Sequence, residues 1–166
     1  MESINSFKIN LTDLQAFKEL ETNLLDQLKS SYTADKTIND DFLESLYFIY
    51  KSPLLEALNQ IDKCEKKILQ ECPPQALADT LFDLVISIQC VSVPNRVIYQ
   101  VKGSFDYYLY ENLNFCGCPS FKYGVLNSNE HVYCKHMILV KLLKAMNRMK
   151  VKYVNHTELV DIIKQI

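Results

Sequence analysis

The chain has 166 residues, a formal net charge of −2, 48% hydrophobic content and only three glycines. Those glycines, Gly103, Gly117 and Gly124, build neither a G-x-x-x-x-G-K-[ST] phosphate loop nor a G-x-G-x-x-G fingerprint, which disfavours an autonomous nucleotide-hydrolysing or dinucleotide-binding enzyme. The near-neutral charge argues against strong independent binding of nucleic acid, and a mean hydropathy of −0.07 argues against wholesale disorder.

In chain order, the polar start MESINSFKIN has no basic flank leading into an apolar run and reads as no signal peptide. Leu11, Leu14, Phe17, Leu20, Leu24, Leu25 and Leu28 then recur at helical steps. Thr12 and Gln15 fit a capping box, so a helix is expected over about 12–30, with Ser30 to Lys36 as a linker. The apolar stripe is too wide to stand free and is expected to pack on the domain or on a partner. Asn39 caps a second helix whose buried face is Phe42, Leu46, Ile49 and Tyr50. Ser52-Pro53 ends it, and Pro53 opens a third helix with Leu54, Leu58, Ile61, Ile68 and Leu69 inward. Cys72-Pro73-Pro74 stops that helix, and a short helical turn is expected around Ala76 to Phe82.

The pattern then changes period. Val85 to Val93, Val97 to Lys102 and Tyr107 to Tyr110 alternate around turns at Pro94-Asn95 and Gly103-Ser104, which predicts a three-stranded antiparallel meander. A helix over about Tyr133 to Met149 follows, and a last one starts near Asn155, with Asn155 or Thr157 as cap. The most apolar stretch, Leu84 to Val93, is too short to span a bilayer. An intracellular protein is expected, in which the cysteines are thiols or metal ligands rather than disulfides.

One cluster carries chemistry: Cys116-Gly117-Cys118-Pro119, then fourteen residues, then Cys134-Lys135-His136. Three thiols and an imidazole match the tetrahedral preference of a structural zinc ion. Gly117 is expected to take the backbone angles that turn both sulfurs inward, and Pro119 to keep Cys118 extended. Cys134 and His136 share a metal only if Cys134 lies at or before the first helical turn and His136 within it. Four protein ligands leave no open position for water, so the site is structural. Other readings are open at this level: unrelated buried cysteines beside a helical histidine, a Cys134–His136 nucleophilic pair, or His131 as ligand instead of His136. Cys64, Cys72 and Cys90 read as core or surface thiols.

Cys-x-Cys, a gap, then Cys-x-His, with Pro119-Ser120-Phe121 after the second cysteine and an apolar helix after the histidine, resembles a SWIM-type zinc finger. Asp41 to Tyr50 (DFLESLYFIY) and Arg96 to Gly103 (RVIYQVKG) extend the resemblance to the small SWIM-domain subunits of Shu complexes. It covers about Asn39 to the C-terminus. It implies an α+β fold with N-terminal helices, the meander, a zinc-binding turn and C-terminal helices. The expected layout is a helical arm (1–36), a helical region (37–84) and a SWIM zinc-finger domain (85–166). Cys116, Cys118, Cys134 and His136 are carried over as ligands of one structural zinc. The implied role is nuclear and non-catalytic: an accessory subunit in homologous-recombination repair. It would join a RecA-like recombinase paralogue in a heterodimer or larger complex, and promote recombinase filament assembly or stability on single-stranded DNA. The alternatives are a stand-alone DNA-binding SWIM module of transposase-like type and a cysteine-dependent enzyme.

The charge is unevenly placed. Residues 1–50 hold nine acids against four lysines, whereas residues 131–157 hold six bases and no acid. Lys141, Lys144 and Arg148, at i, i+3 and i+7, are expected to share one face of the post-zinc helix, either solvated, against DNA phosphate or against an acidic partner. Tyr47, Phe48, Tyr50, Tyr107, Tyr108 and Tyr110 are expected in core or strand, with any exposed ones as interface anchors or base-stacking platforms.

Overall fold

The computed structural model describes residues 11–35, 38–71, 82–111 and 113–164. The elements are α1 (Leu11–Asp35), α2 (Asp40–Tyr50), α3 (Ser52–Glu71), β1 (Phe82–Cys90), β2 (Val93–Val101), β3 (Tyr107–Tyr110), a π-helical turn (Phe121–Asn127), α4 (Lys135–Ala145), β4 (Met149–Val154) and α5 (His156–Ile163). Helices beside a four-stranded mixed sheet make the chain α+β, as expected. Cys72-Pro73-Pro74 and the expected turn from Ala76 lie outside the described residues, and Phe82 opens β1. Among the described residues, no helix is long and apolar enough to cross a membrane.

The helical half follows its stripes, except that Leu14 and Leu20 of the expected α1 stripe are exposed, and with local corrections at the ends. Thr12 is not a cap, because the helix already includes Leu11, and the Gln15 amide donates to Glu19 Oε1 at 3.2 Å instead. The expected linker from Ser30 is helical to Asp35. Ser30 returns its hydroxyl to the Asp26 carbonyl at 3.0 Å, and the buried Tyr32 ties this last turn to Arg148. Asn39 caps α2 as expected, accepting from the Phe42 N–H at 2.8 Å. Between α2 and α3 only Lys51 intervenes. It turns the chain at φ 56, and its carbonyl accepts from the Leu54 N–H, so α3 opens at Ser52 with Pro53 in its first turn.

The meander is present, but the sheet is larger and one turn is displaced. The β1–β2 turn falls at Val91-Ser92, with a register shift at Gln89/Cys90, so Pro94 lies just inside β2 rather than in the turn. A fourth strand, β4, adds parallel to β1 to give the order β3-β2-β1-β4. The expected helix to Met149 therefore stops four residues early. Asn147 takes the left-handed region (φ 53), the Arg148 N–H reaches the Leu143 carbonyl at 2.9 Å and the Asn147 N–H the Lys144 carbonyl at 3.1 Å. This is a Schellman ending, which satisfies the last carbonyls and turns the chain into β4. Asn155 closes the capping box of α5 with Glu158.

Alternation along the strands separates two cores. Val85, Tyr99, Val101 and Leu109 face the helices and join Leu28, Leu46, Leu54, Leu139 and Leu143. Ile88, Ile98 and Val154 point to the other face, where Leu159 of α5 covers them. The main core thus takes residues from the expected arm, the helical region and the zinc-finger segment alike. α1 packs on the domain, against α2 and α4.

Candidate metal centre

Between the end of β3 and the first turn of α4 the chain brings together the four donors expected of it. The ligand atoms of Cys116, Cys118, Cys134 and His136 all lie within 4.8 Å of one another, and all four residues are buried. Cys116 Sγ is 3.7 Å from His136 Nδ1. Zinc bonds of about 2.3 Å to sulfur and about 2.0 Å to nitrogen give tetrahedral edges of roughly 3.5–3.8 Å, so the donor set fits that ion. His131 is not in the cluster, and its ring stands 4.0 Å from the Glu130 carboxylate.

Local structure explains the convergence. Cys134 is the N-cap of α4 (φ −83, ψ 164), with its carbonyl accepting from the Met137 and Ile138 N–H groups. His136 is thus in the first turn, as the two-residue spacing requires. Cys118 caps a second helical turn: its carbonyl takes the N–H groups of Phe121 and Lys122 at 3.1 Å, and its Sγ takes the Phe121 N–H at 3.2 Å. Gly117 plays a smaller part than expected. Its φ is not positive, and a Cβ there would meet nothing within 4 Å.

The three thiols stand close enough to hydrogen-bond to one another, which shifts them in opposite directions. Cys118 is held well below the ordinary thiol range by S–H donation from Cys116 and then Cys134, against the cost of burial. Cys116 is pushed up by donating to Cys118 and Cys134. For Cys134, the contact with Cys116 lowers the pKa, while the contact with Cys118 and burial raise it, leaving it at about 11. A divalent cation held by these four residues would take the three sulfurs as thiolates and supply a structural cross-link rather than an open coordination site.

Neighbouring residues that the spacing did not single out hold the donors in place. The Tyr107 ring stacks on His136 with centroids 4.5 Å apart, and Phe115 meets the buried Phe121 edge-on at 5.5 Å. Beside Cys134, the Tyr133 hydroxyl donates to Glu21 Oε2 of α1 at 3.1 Å. Tyr50 donates to the other oxygen at 2.8 Å, and Lys141 Nζ lies 3.0 Å from Oε2. An acid in the apolar stripe of α1 was the available signal for this buried junction.

The basic triplet does not form the expected common face. Lys141 is paired with Glu21 and lies over the Tyr133 ring. Lys144 is paired with Glu111, whose carboxylate is held below its usual range chiefly by that hydrogen bond. Arg148 lies beyond α4, is 3% exposed and donates to the Tyr32 hydroxyl at 2.6 Å.

The Cys-x-Cys and Cys-x-His cluster, with Cys134 capping α4, lies inside a stretch that is similar to the SWIM zinc finger. Residues 99–145, from Tyr99 in β2 to the end of α4, match that family. Over a longer span the chain is similar to Zinc finger SWIM domain-containing protein 7 of Danio rerio, at 29% identity across 84% of this chain and 86% of the relative. The Homo sapiens protein of that name is 27% identical over the same shares. The Dictyostelium discoideum homolog is 28% identical over 84% of this chain and 80% of its own length. No solved structure matches the chain.

Proposed function

We propose that this chain is a non-catalytic accessory subunit of homologous-recombination DNA repair in the nucleus. It pairs with a RecA-like recombinase paralogue in a Shu-type complex and supports recombinase filaments on single-stranded DNA. Cys116, Cys118, Cys134 and His136 hold one structural zinc. The observation that carries this reading is the extent of the likeness. It runs over 84% of the chain, well beyond residues 99–145, and so includes helices outside the zinc finger. A transposase-like SWIM module would share the finger and not its helical surroundings. A donor set with no vacant position supports a structural rather than a catalytic metal. The pairing of Lys141 with Glu21 and the burial of Arg148 leave Lys144 as the one exposed base of the three, too little for strong phosphate binding, so DNA is met through the complex.

Affinity purification of the tagged chain from its native cells tests the reading. A small RecA-like ATPase should co-purify at near-stoichiometric yield, and the isolated chain should bind single-stranded DNA weakly. Tight, steeply salt-dependent DNA binding by the isolated chain, with no such subunit recovered, would favour the stand-alone DNA-binding module instead.

A further inference from the structure

The N-terminal helix is lightly held. Between Asp13 and Tyr32 of α1 only Glu21, Leu28 and Tyr32 are buried, with Phe17, Leu24 and Leu25 half-buried. By contrast, α4 buries His136 to Val140, Leu142 and Leu143. A helix with so few buried apolar contacts sits at the low end of local stability. One of the three buried residues of α1 is also a carboxylate, and a buried charge is unfavourable unless it is paired and hydrogen-bonded. The docking of α1 therefore depends on partners for Glu21 standing in place.

Those partners lead to the metal centre. Glu21 Oε2 takes the Tyr133 hydroxyl at 3.1 Å and Lys141 Nζ at 3.0 Å, and Oε1 takes the Tyr50 hydroxyl at 2.8 Å. Tyr133 is the residue before Cys134, the N-cap of α4, and Lys141 lies further along that helix. The buried Tyr133 ring is enclosed by Phe17 of α1 with centroids 6.4 Å apart, by Tyr50 of α2 at 5.9 Å and by the Lys141 ammonium at 4.4 Å. A ring so enclosed moves only if its neighbours move with it. A cation that ties Cys134 to Cys116 and Cys118 fixes the start of α4, and with it the hydroxyl that Glu21 needs. Without that tie the first turn of α4 is free to fray, Tyr133 withdraws, and the carboxylate left short of a donor favours a hydrated, undocked α1.

We infer that Glu21 and Tyr133 are positioning residues for the metal site, which couple zinc at Cys134 to the docking of α1. This rests on the zinc ligation proposed above and on nothing about the partner. Linkage makes the coupling reciprocal: whatever zinc adds to the docking of α1, docked α1 adds to the affinity for zinc. Two measurements on the full chain test it. In zinc competition against a chelator, Tyr133→Phe and Glu21→Gln should each weaken zinc binding by about tenfold, although neither removes a ligand. Leu159→Ala, in the core on the other face of the sheet, is the control. It should lower the melting temperature at least as far and leave zinc affinity within about twofold. In hydrogen exchange during stepwise zinc withdrawal, the amides of α1 should lose protection before those of β1 and β2. Unchanged zinc affinity in both variants overturns the coupling and leaves the zinc site standing. An equal fall in Leu159→Ala also overturns it, because the link is then global stability alone. Loss of protection in α1 no earlier than in β1 and β2 does the same. A wild-type chain that binds no zinc overturns the coupling and the zinc ligation together.

Discussion

Glu21 joins the N-terminal helix to the zinc finger. It is 6% exposed, and its two oxygens receive Tyr50, Tyr133 and Lys141. Removing the carboxylate strands two buried hydroxyls and an ammonium group, so Glu21→Ala should cost about 3 kcal/mol in urea unfolding. A loss below about 1 kcal/mol would mean that water satisfies the stranded groups and that the junction contributes little. Gly117 makes the opposite case. A Cβ there meets open space at ordinary backbone angles, so Gly117→Ala should retain its zinc and shift stability by less than about 0.5 kcal/mol. Zinc loss in that variant would restore a special role for the glycine. Both residues mark how far local pattern reaches. Glu21, four residues after Phe17 and seven before Leu28, was legible as an acid on a buried stripe. Its partners, 29, 112 and 120 residues away, are brought to it only by the fold.

At the scale of elements, the ending of α4 decides where the basic residues go. Asn147 at φ 53 closes the helix and sends Arg148 inward and Met149 into β4. A β-branched side chain is strained at that φ, so Asn147→Val should lower stability by about 1–2 kcal/mol, while Asn147→Gly should be neutral or stabilising. Equal stability of the two variants would remove the ending from the account. Periodicity identified the helices and the meander, and the Cys-x-Cys and Cys-x-His spacing pointed to the four residues that cluster, because each pattern is set by residues close in sequence. β4 was missed although Met149, Val151 and Tyr153 alternate with Lys150 and Lys152. Without its parallel neighbour β1, that alternation merged with the lysine-bearing end of the preceding helix. The supposed basic stripe failed for the same reason: a helical count carried past residue 145 places Arg148 on a face that the helix does not have.

In the molecule as a whole, the helices, one face of the sheet and the Cys/His cluster share the main core while α5 covers the other face, so phenols buried on either side report on global stability. Burial, and after it the Glu21 carboxylate, holds Tyr50 and Tyr133 above the ordinary phenol value of 10.0. Tyr99 and Tyr108 are raised mainly by burial. A phenol whose folded pKa exceeds its unfolded one contributes its full stability below about pH 10. That contribution falls as pH climbs from there toward the folded value, because only the unfolded chain releases the proton. Melting temperature should therefore be flat from about pH 7.5 to 9.5 and fall above about pH 10; a curve flat through pH 11 would contradict the burial of these tyrosines. The central claim, a zinc-stapled adaptor acting through a recombinase-like partner, is tested most directly by native mass spectrometry of the affinity-purified complex. The account predicts a chain carrying one zinc together with a RecA-like subunit, with the zinc still bound after that subunit is dissociated. A partner-bound chain without zinc, or a zinc-loaded chain that never carries such a subunit, would contradict it.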